Sequence, residues 1–371
     1  MQFYEKMDRE TTIHSVGIAA TPLRFPVDGM ILERHEHTGL HRFLPGKLLK
    51  MVGSYILGFF DYILGFRKLV QNYDILESCE LANMFTLQSL NSGKPTVVYC
   101  FENIPNQRSS FVFFFVNRIK KAVLKKAKYF IACDERVKAN ILLENPDILE
   151  ENILVSPSTI DLERFSPRLK SPELQKRYNI NPGKITILFC ARLIYEKGIY
   201  DLLYAIKQLS RTRDDFELLV LGKSMSSGKI YKLVHDLGIE KFVRFSGFIP
   251  YSELHQVYNN VDIFVLPSTV TKIWNEQFGY VLLEAMASAL PIVGTHSGSL
   301  PYVINPTGRI LVSPADFYLL AGALEDLIEH PEKRALFGEN NRKYMETEQF
   351  NPTKILADRE RFYKMVIEKS R

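Results

Sequence analysis

Two glutamates, Glu276 and Glu284, stand eight positions apart in the stretch Trp274-Asn275-Glu276-Gln277-Phe278-Gly279-Tyr280-Val281-Leu282-Leu283-Glu284-Ala285-Met286-Ala287. Carboxylates grip hydroxyl groups. On one helix the two would lie about 80° apart around the axis and two turns apart along it, which is poor for joint work. The Gly279 turn offers another arrangement, with Glu276 in a loop and Glu284 in the early turns of the helix that follows. The N–H groups of the helix start then lie between the carboxylates and can seat a phosphate. Such a set suits a sugar carried on a nucleotide. The plainer alternatives are a surface loop acid at Glu276 and an exposed glutamate at Glu284, favoured by the helix dipole. Trp274 either packs against the loop or stacks on a ligand.

A second loop carries cations. Ala191-Arg192-Leu193-Ile194-Tyr195-Glu196-Lys197-Gly198 follows an apolar run and precedes a helical pattern. Arg192 and Lys197 then fall at the carboxyl end of a strand, where two cations can neutralise a leaving diphosphate. A solvated charged loop is the alternative for this segment.

The elements that must hold these loops alternate. In the second half, strands are expected at 184–190, 216–221, 243–245, 263–266 and 292–294. Helices are expected at 199–209, 229–237, 252–259 and 278–289. Alternating strands and helices imply βαβ units around a parallel sheet, with ligands bound beyond the carboxyl ends of the strands. The first half is similar in kind. Strands are expected at 12–18, 73–77, 96–101, 129–133 and 153–155, and helices at 46–70 and 111–128. The proline-bearing stretch 156–183 reads as the interdomain connection.

With these residues in place, the chain resembles the retaining glycosyltransferases of family 4, which have the GT-B fold. The resemblance rests on Ala-Arg-Leu-x3-Lys-Gly at 191–198 and on Glu-x7-Glu at 276–284, with Phe-Gly inside it and Glu-Ala-Met-Ala at its end. Val243–Phe248, Val261–Ser268 and Thr159–Phe165 resemble further segments of that family, the last of which ends its first domain. The resemblance spans roughly residues 70 to 365. It implies an α/β chain of two Rossmann-like, doubly wound domains facing a central cleft. Residues 1–167 would form the acceptor-side domain and 168–350 the nucleotide-sugar domain, and the helix in 351–371 would return to the first domain. It also implies roles. Arg192 and Lys197 bind the donor diphosphate, and Glu276 holds hydroxyls of the donor sugar. Phe278, Gly279 and Tyr280 offer backbone amides, and Glu284 holds the ribose hydroxyls. The expected reaction moves a hexose from a UDP-, GDP- or ADP-linked donor to a hydroxyl acceptor, a lipid-linked or cell-surface glycan, with retention at the anomeric centre.

The chain departs from the family in two places. The usual first-domain histidine is replaced by Phe101-Glu102-Asn103-Ile104-Pro105. Glu102 is expected to point into the cleft, contacting sugar or acceptor, or else to cap the next segment. The usual opening strand and Gly-rich loop are expected to be missing, because Met1–Lys6 reads as the helix after that loop. A catalytically impaired nucleotide-sugar-binding partner subunit is therefore a second reading, and a nucleotide-sugar epimerase on the same fold a third. No Asp-x-Asp motif stands where a metal-dependent transferase needs one. His35, His37 and His41 are expected to be solvated or packed, with acceptor contact as the alternative. No metal and no cofactor beyond the donor is expected, because Arg192, Lys197 and helix N–H groups supply the positive charge.

Composition sets the wider bounds. A chain of 371 residues with 46% hydrophobic and 24% charged content suggests about two globular domains. A net charge of +5 implies no large nucleic-acid footprint. Cys79, Cys100, Cys133 and Cys190 lack metal-like or paired spacing and read as buried free thiols of a reducing compartment. The first residues lack a signal-peptide core, so a cytoplasmic location is expected. The segment 110–128 joins a phenylalanine run to a basic run, with 118, 121 and 125 on one face widened by 120, 126 and 128. It reads either as a contact with an anionic membrane surface, at the inner face, or as a helix packed on its sheet with solvated lysines.

Overall fold

The computed structural model describes residues 13–18, 30–35, 65–102, 111–222, 227–272, 274–347 and 349–371. The chain divides into two units, one of Met1–Ser158 with Pro352–Arg371, the other of Thr159–Asn351. Among the described residues the strands, β1 to β12, are Ile13–Ile18, Met30–His35, Leu76–Cys79, Thr96–Cys100, Tyr129–Ala132, Ile153–Val155, Ile185–Cys190, Phe216–Leu221, Val243–Gly247, Ile263–Leu266, Ile292–Thr295 and Arg309–Val312. The helices α1 to α7 are Phe66–Leu69, Met84–Leu90, Phe111–Lys126, Glu135–Glu144, Pro172–Arg177, Ile199–Leu209 and Ser227–Leu237. Then follow α8 Tyr251–Tyr258, α9 Tyr280–Ala287, α10 Leu300–Val303, α11 Phe317–Glu329, α12 Pro331–Glu346 and α13 Pro352–Ser370.

The second unit is built on a six-stranded parallel sheet in the order β12-β11-β10-β7-β8-β9. Strands β7, β8 and β10 are nearly all apolar because helices cover both faces. Helix α6 buries Ile199, Leu202, Leu203, Ala205, Ile206 and Leu209, the spacing of one helical face. Those residues join Leu320, Leu324 and Leu327 of α11 in one core. Each buried Leu or Ile contributes about 1.5–3 kcal/mol. Strand order runs outward from β7 to β9 on one side and from β10 to β12 on the other. The switch point, where an open α/β sheet binds its ligands, therefore lies between the carboxyl ends of β7 and β10.

The first unit has a parallel sheet in the order β3-β4-β5-β6 and a separate parallel pair, β1 with β2. Helix α13 belongs to this unit through Arg359, whose guanidinium is buried. It donates to Ser156 Oγ at 2.8 Å and lies 4.5 Å from the Tyr99 ring centre.

The division before Thr159 falls earlier than the expected boundary at 167/168. The reason is that Thr159–Phe165 is tied into the second unit. Thr159 Oγ1 donates to Phe350 O, and one nitrogen of Arg342 donates to Leu162 O, Phe165 O and Ala287 O. Phe165 packs edge-on to Tyr258 at 5.9 Å. The segment expected to end the first domain thus opens the second. Strands β2 and β12 carry no sequence expectation, and β2 ends at His35. His37, His41 and the opening residues 1–12 lie outside the described residues, as does most of the helix expected at 46–70.

Candidate functional site

The chain needs two close backbone approaches and one left-handed turn to bring its chemistry to the switch point. Gly198, between the β7 loop and α6, has φ 73°, and a Cβ there would lie 1.8 Å from Pro267 O. This lets the loop after β7 lie on the loop after β10, where Thr269 N–H donates to Glu196 O at 2.9 Å. Gly298, after β11, has φ 54°, and a Cβ there would lie 1.9 Å from Glu276 O. It seats the 274–279 loop, to which Ser299 N–H donates at Glu276 O. Gly279, also left-handed, starts α9. A side chain at these positions would be strained as well as crowded.

On this frame Lys197 meets Glu276. Lys197 Nζ bonds both carboxylate oxygens, at 2.8 and 2.6 Å. Ser268 Oγ donates to Glu276 Oε2 at 2.6 Å, and Glu276 N–H donates to Ser297 Oγ at 3.1 Å. Ser297 Oγ in turn donates to Thr269 O at 2.8 Å. The Trp274 ring centre lies 5.3 Å from Lys197 Nζ, so the indole face covers the ammonium. Both charges are largely withdrawn from water, with side-chain exposures of 15% and 5%. Arg192 is exposed at the end of β7.

Glu284 is not the exposed first-turn glutamate of the plainer alternative. It lies in the second turn of α9 and is 4% exposed. Tyr258 Oη donates to its Oε2 at 2.8 Å. Burial pushes the Glu284 carboxyl up to about 7, against hydrogen bonds from Tyr258 and Tyr251 and the charge of Arg164, which act to lower it. Burial and the neighbouring Glu284 raise the Tyr258 phenol far above its ordinary range, and the same two causes push Cys190 up to about 12. Phe278 is buried, Gly279 caps α9 and Tyr280 is its first, half-exposed residue. The helix starts at Tyr280 rather than at Phe278, because Gly279 takes the left-handed conformation.

Glu102 is held within the first unit. Its carboxylate is buried in the first unit, 3.2 Å from Lys120 Nζ, which also bonds Glu144 at 2.7 Å. Lys120 is accordingly 3% exposed and does not widen the basic face of α3. Arg118, Lys121, Lys125, Lys126 and Lys128 do lie exposed there. Cys79 is exposed rather than buried.

Sequence reasoning did not single out Ser297 or Tyr258. Ser297 carries no local signal because its partner lies 21 positions away. Tyr258 shares a helical face with Tyr251, a repeat that could have marked it.

Two units, each built on a parallel sheet between helices, give the chain the GT-B fold. Residues 170–344 match the family described as glycosyl transferases group 1. Among relatives, the chain is 32% identical over 234 residues to a D-inositol 3-phosphate glycosyltransferase of Corynebacterium kroppenstedtii, covering 60% of this chain and 50% of that one. It is 28% identical over 196 residues to a GDP-mannose-dependent monoacylated alpha-(1-6)-phosphatidylinositol monomannoside mannosyltransferase of Corynebacterium glutamicum, covering 52% and 51%. The chain thus spans about half the length of the curated relatives it matches. The solved structure of Anabaena Alr3699/HepE in complex with UDP shares the fold, with a TM-score of 0.70 at 17% identity over 90% of this chain and 86% of that one.

Proposed function

We propose that the chain is a retaining glycosyltransferase that moves a hexose from a nucleoside diphosphate sugar to a hydroxyl acceptor. The observation that carries this reading is the Lys197–Glu276 pair at the switch point, beside the start of α9. An ammonium has three donors, and two already lie on Glu276. The third, with the exposed Arg192 guanidinium and the amides of 278–280, serves the diphosphate. Glu276 accepts hydroxyls of the donor sugar, and Glu284 those of the ribose. In the transfer, the bond between the anomeric carbon and the diphosphate oxygen breaks. The acceptor oxygen bonds that carbon from the same face, and its proton passes to the leaving diphosphate. Arg192 and Lys197 stabilise the charge that develops there, a task a metal performs elsewhere.

A lipid-linked or cell-surface glycan suits the acceptor role. Supporting this are the phosphatidylinositol mannoside named for one relative and the exposed cations of α3. No helix among the described residues is long and apolar enough to cross a membrane. We place the protein at the inner membrane face, held by anionic lipid. Co-sedimentation with phosphatidylserine vesicles at low salt tests this, and absence of binding there removes the membrane from the proposal.

The test of function is thermal stabilisation by UDP, GDP and ADP and by their sugars, followed by sugar release with and without acceptor. Selective stabilisation by one nucleotide identifies the base. A second reading, a donor-binding partner subunit, is favoured by the engagement of Glu102 with Lys120. Stabilisation without any sugar release or transfer would select it.

A further inference from the structure

The buried face of α8 carries an unassigned device. Tyr258 is 0% exposed, its ring held between Phe165 at 5.9 Å and Phe264 at 5.8 Å. Its hydroxyl reaches Glu284 Oε2 at 2.8 Å and Val281 O at 3.4 Å, both on α9, and also faces the Cys190 thiol of β7. Tyr251, two turns earlier on the same face, adds a second hydroxyl to the same carboxylate. Among the described residues, the titratable and charged groups facing Glu284 are Tyr251 and Tyr258 from α8, Cys190 from β7 and Arg164 from the 159–165 segment. A carboxylate this buried stays ionised only when donors are aimed at it. A packed phenol supplies one with little rotational freedom to lose.

We propose that Tyr258 is a positioning residue for nucleotide recognition, its fully buried phenol fixing the Glu284 carboxylate in the orientation that accepts the donor's ribose hydroxyls. The inference rests on the reading of Glu284 as the ribose contact. Glu284 must be ionised to accept two hydroxyls at once, so nucleotide affinity follows its titration. Tyr258 favours the ionised form, and its removal moves that titration to higher pH.

Calorimetric titration of the wild-type chain, Tyr258→Phe and Glu284→Ala with UDP, GDP and ADP, from about pH 5.5 to 9, tests this. Tyr258→Phe removes one oxygen and keeps the packed ring. The expected result is that it binds the preferred nucleotide about tenfold more weakly at neutral pH, the factor for one hydrogen bond to a charged group. Its affinity–pH inflection also shifts upward, which a merely loosened core would not cause. If Glu284→Ala loses affinity while Tyr258→Phe keeps both affinity and inflection, the positioning role falls and the ribose reading stands. If Glu284→Ala binds like the wild type, the ribose reading itself falls, and the inference with it.

Discussion

Lys197 Nζ grips both carboxylate oxygens of Glu276 across 79 positions of sequence, joining the loop after β7 to the loop after β10. The pair closes the switch point of the sheet. Removing one member leaves the other charge buried and uncompensated. Lys197→Ala and Glu276→Ala should therefore each lower stability, by about 3 kcal/mol, and lower transfer by about a hundredfold or more. The double variant Lys197→Met, Glu276→Met should recover stability but not transfer. Urea unfolding alongside a donor-turnover assay reads both. Full turnover in Lys197→Ala would remove the pair from the mechanism.

Glu284 should make stability depend on pH. Its carboxyl is raised from 4.5 to about 7 by burial. The folded protein therefore holds a proton that the unfolded chain has released between those values. The stability this confers is complete below about pH 4.5, falls as pH rises and is lost above about pH 7. The shift corresponds to about 3 kcal/mol. Glu284→Gln should flatten this decline and raise the melting temperature at pH 8 relative to the wild type, while weakening nucleotide binding. A decline equally steep in the variant would assign it to other groups.

Gly298 and Gly238 give a matched comparison. Both have positive φ, but a Cβ at Gly298 meets Glu276 O at 1.9 Å and one at Gly238 meets nothing within 4 Å. Gly238→Ala should cost only the left-handed strain, about 1–2 kcal/mol. Gly298→Ala should cost more and should also push Glu276 away from Lys197. Thermal unfolding ranks the two, and only Gly298→Ala should lose donor turnover.

Lys120 separates a structural from a catalytic Glu102. Lys120→Met would leave Glu102 and Glu144 buried without their shared cation and should cost about 3–5 kcal/mol, leaving nucleotide affinity intact. Glu102→Gln should cost less stability, because Lys120 keeps its bond to Glu144. A Glu102→Gln variant of native stability that has lost transfer would return Glu102 to the chemistry.

The second unit was legible because its signals are local. Fully apolar strands such as β10 and the helical spacing of α6 announce themselves, and the 191–198 loop sits at the end of β7. What escaped was long-range. Arg342 captures Leu162 O and Phe165 O from about 180 positions away, which moves the unit boundary, and no pattern near either residue encodes it. Lys120 read as one more cation on a basic face because its two partners come from other elements. Four-residue β12 is too short to show a period.

Helix α13 gives the chain an order of assembly. The first unit needs Pro352–Arg371, where Arg359 bonds Ser156, 203 positions earlier. During synthesis those residues emerge only after all of Thr159–Asn351 has been made. The first unit to appear at the ribosome is thus the last that can finish folding. The second, continuous in sequence, can complete its sheet while its predecessor still waits for its final helix.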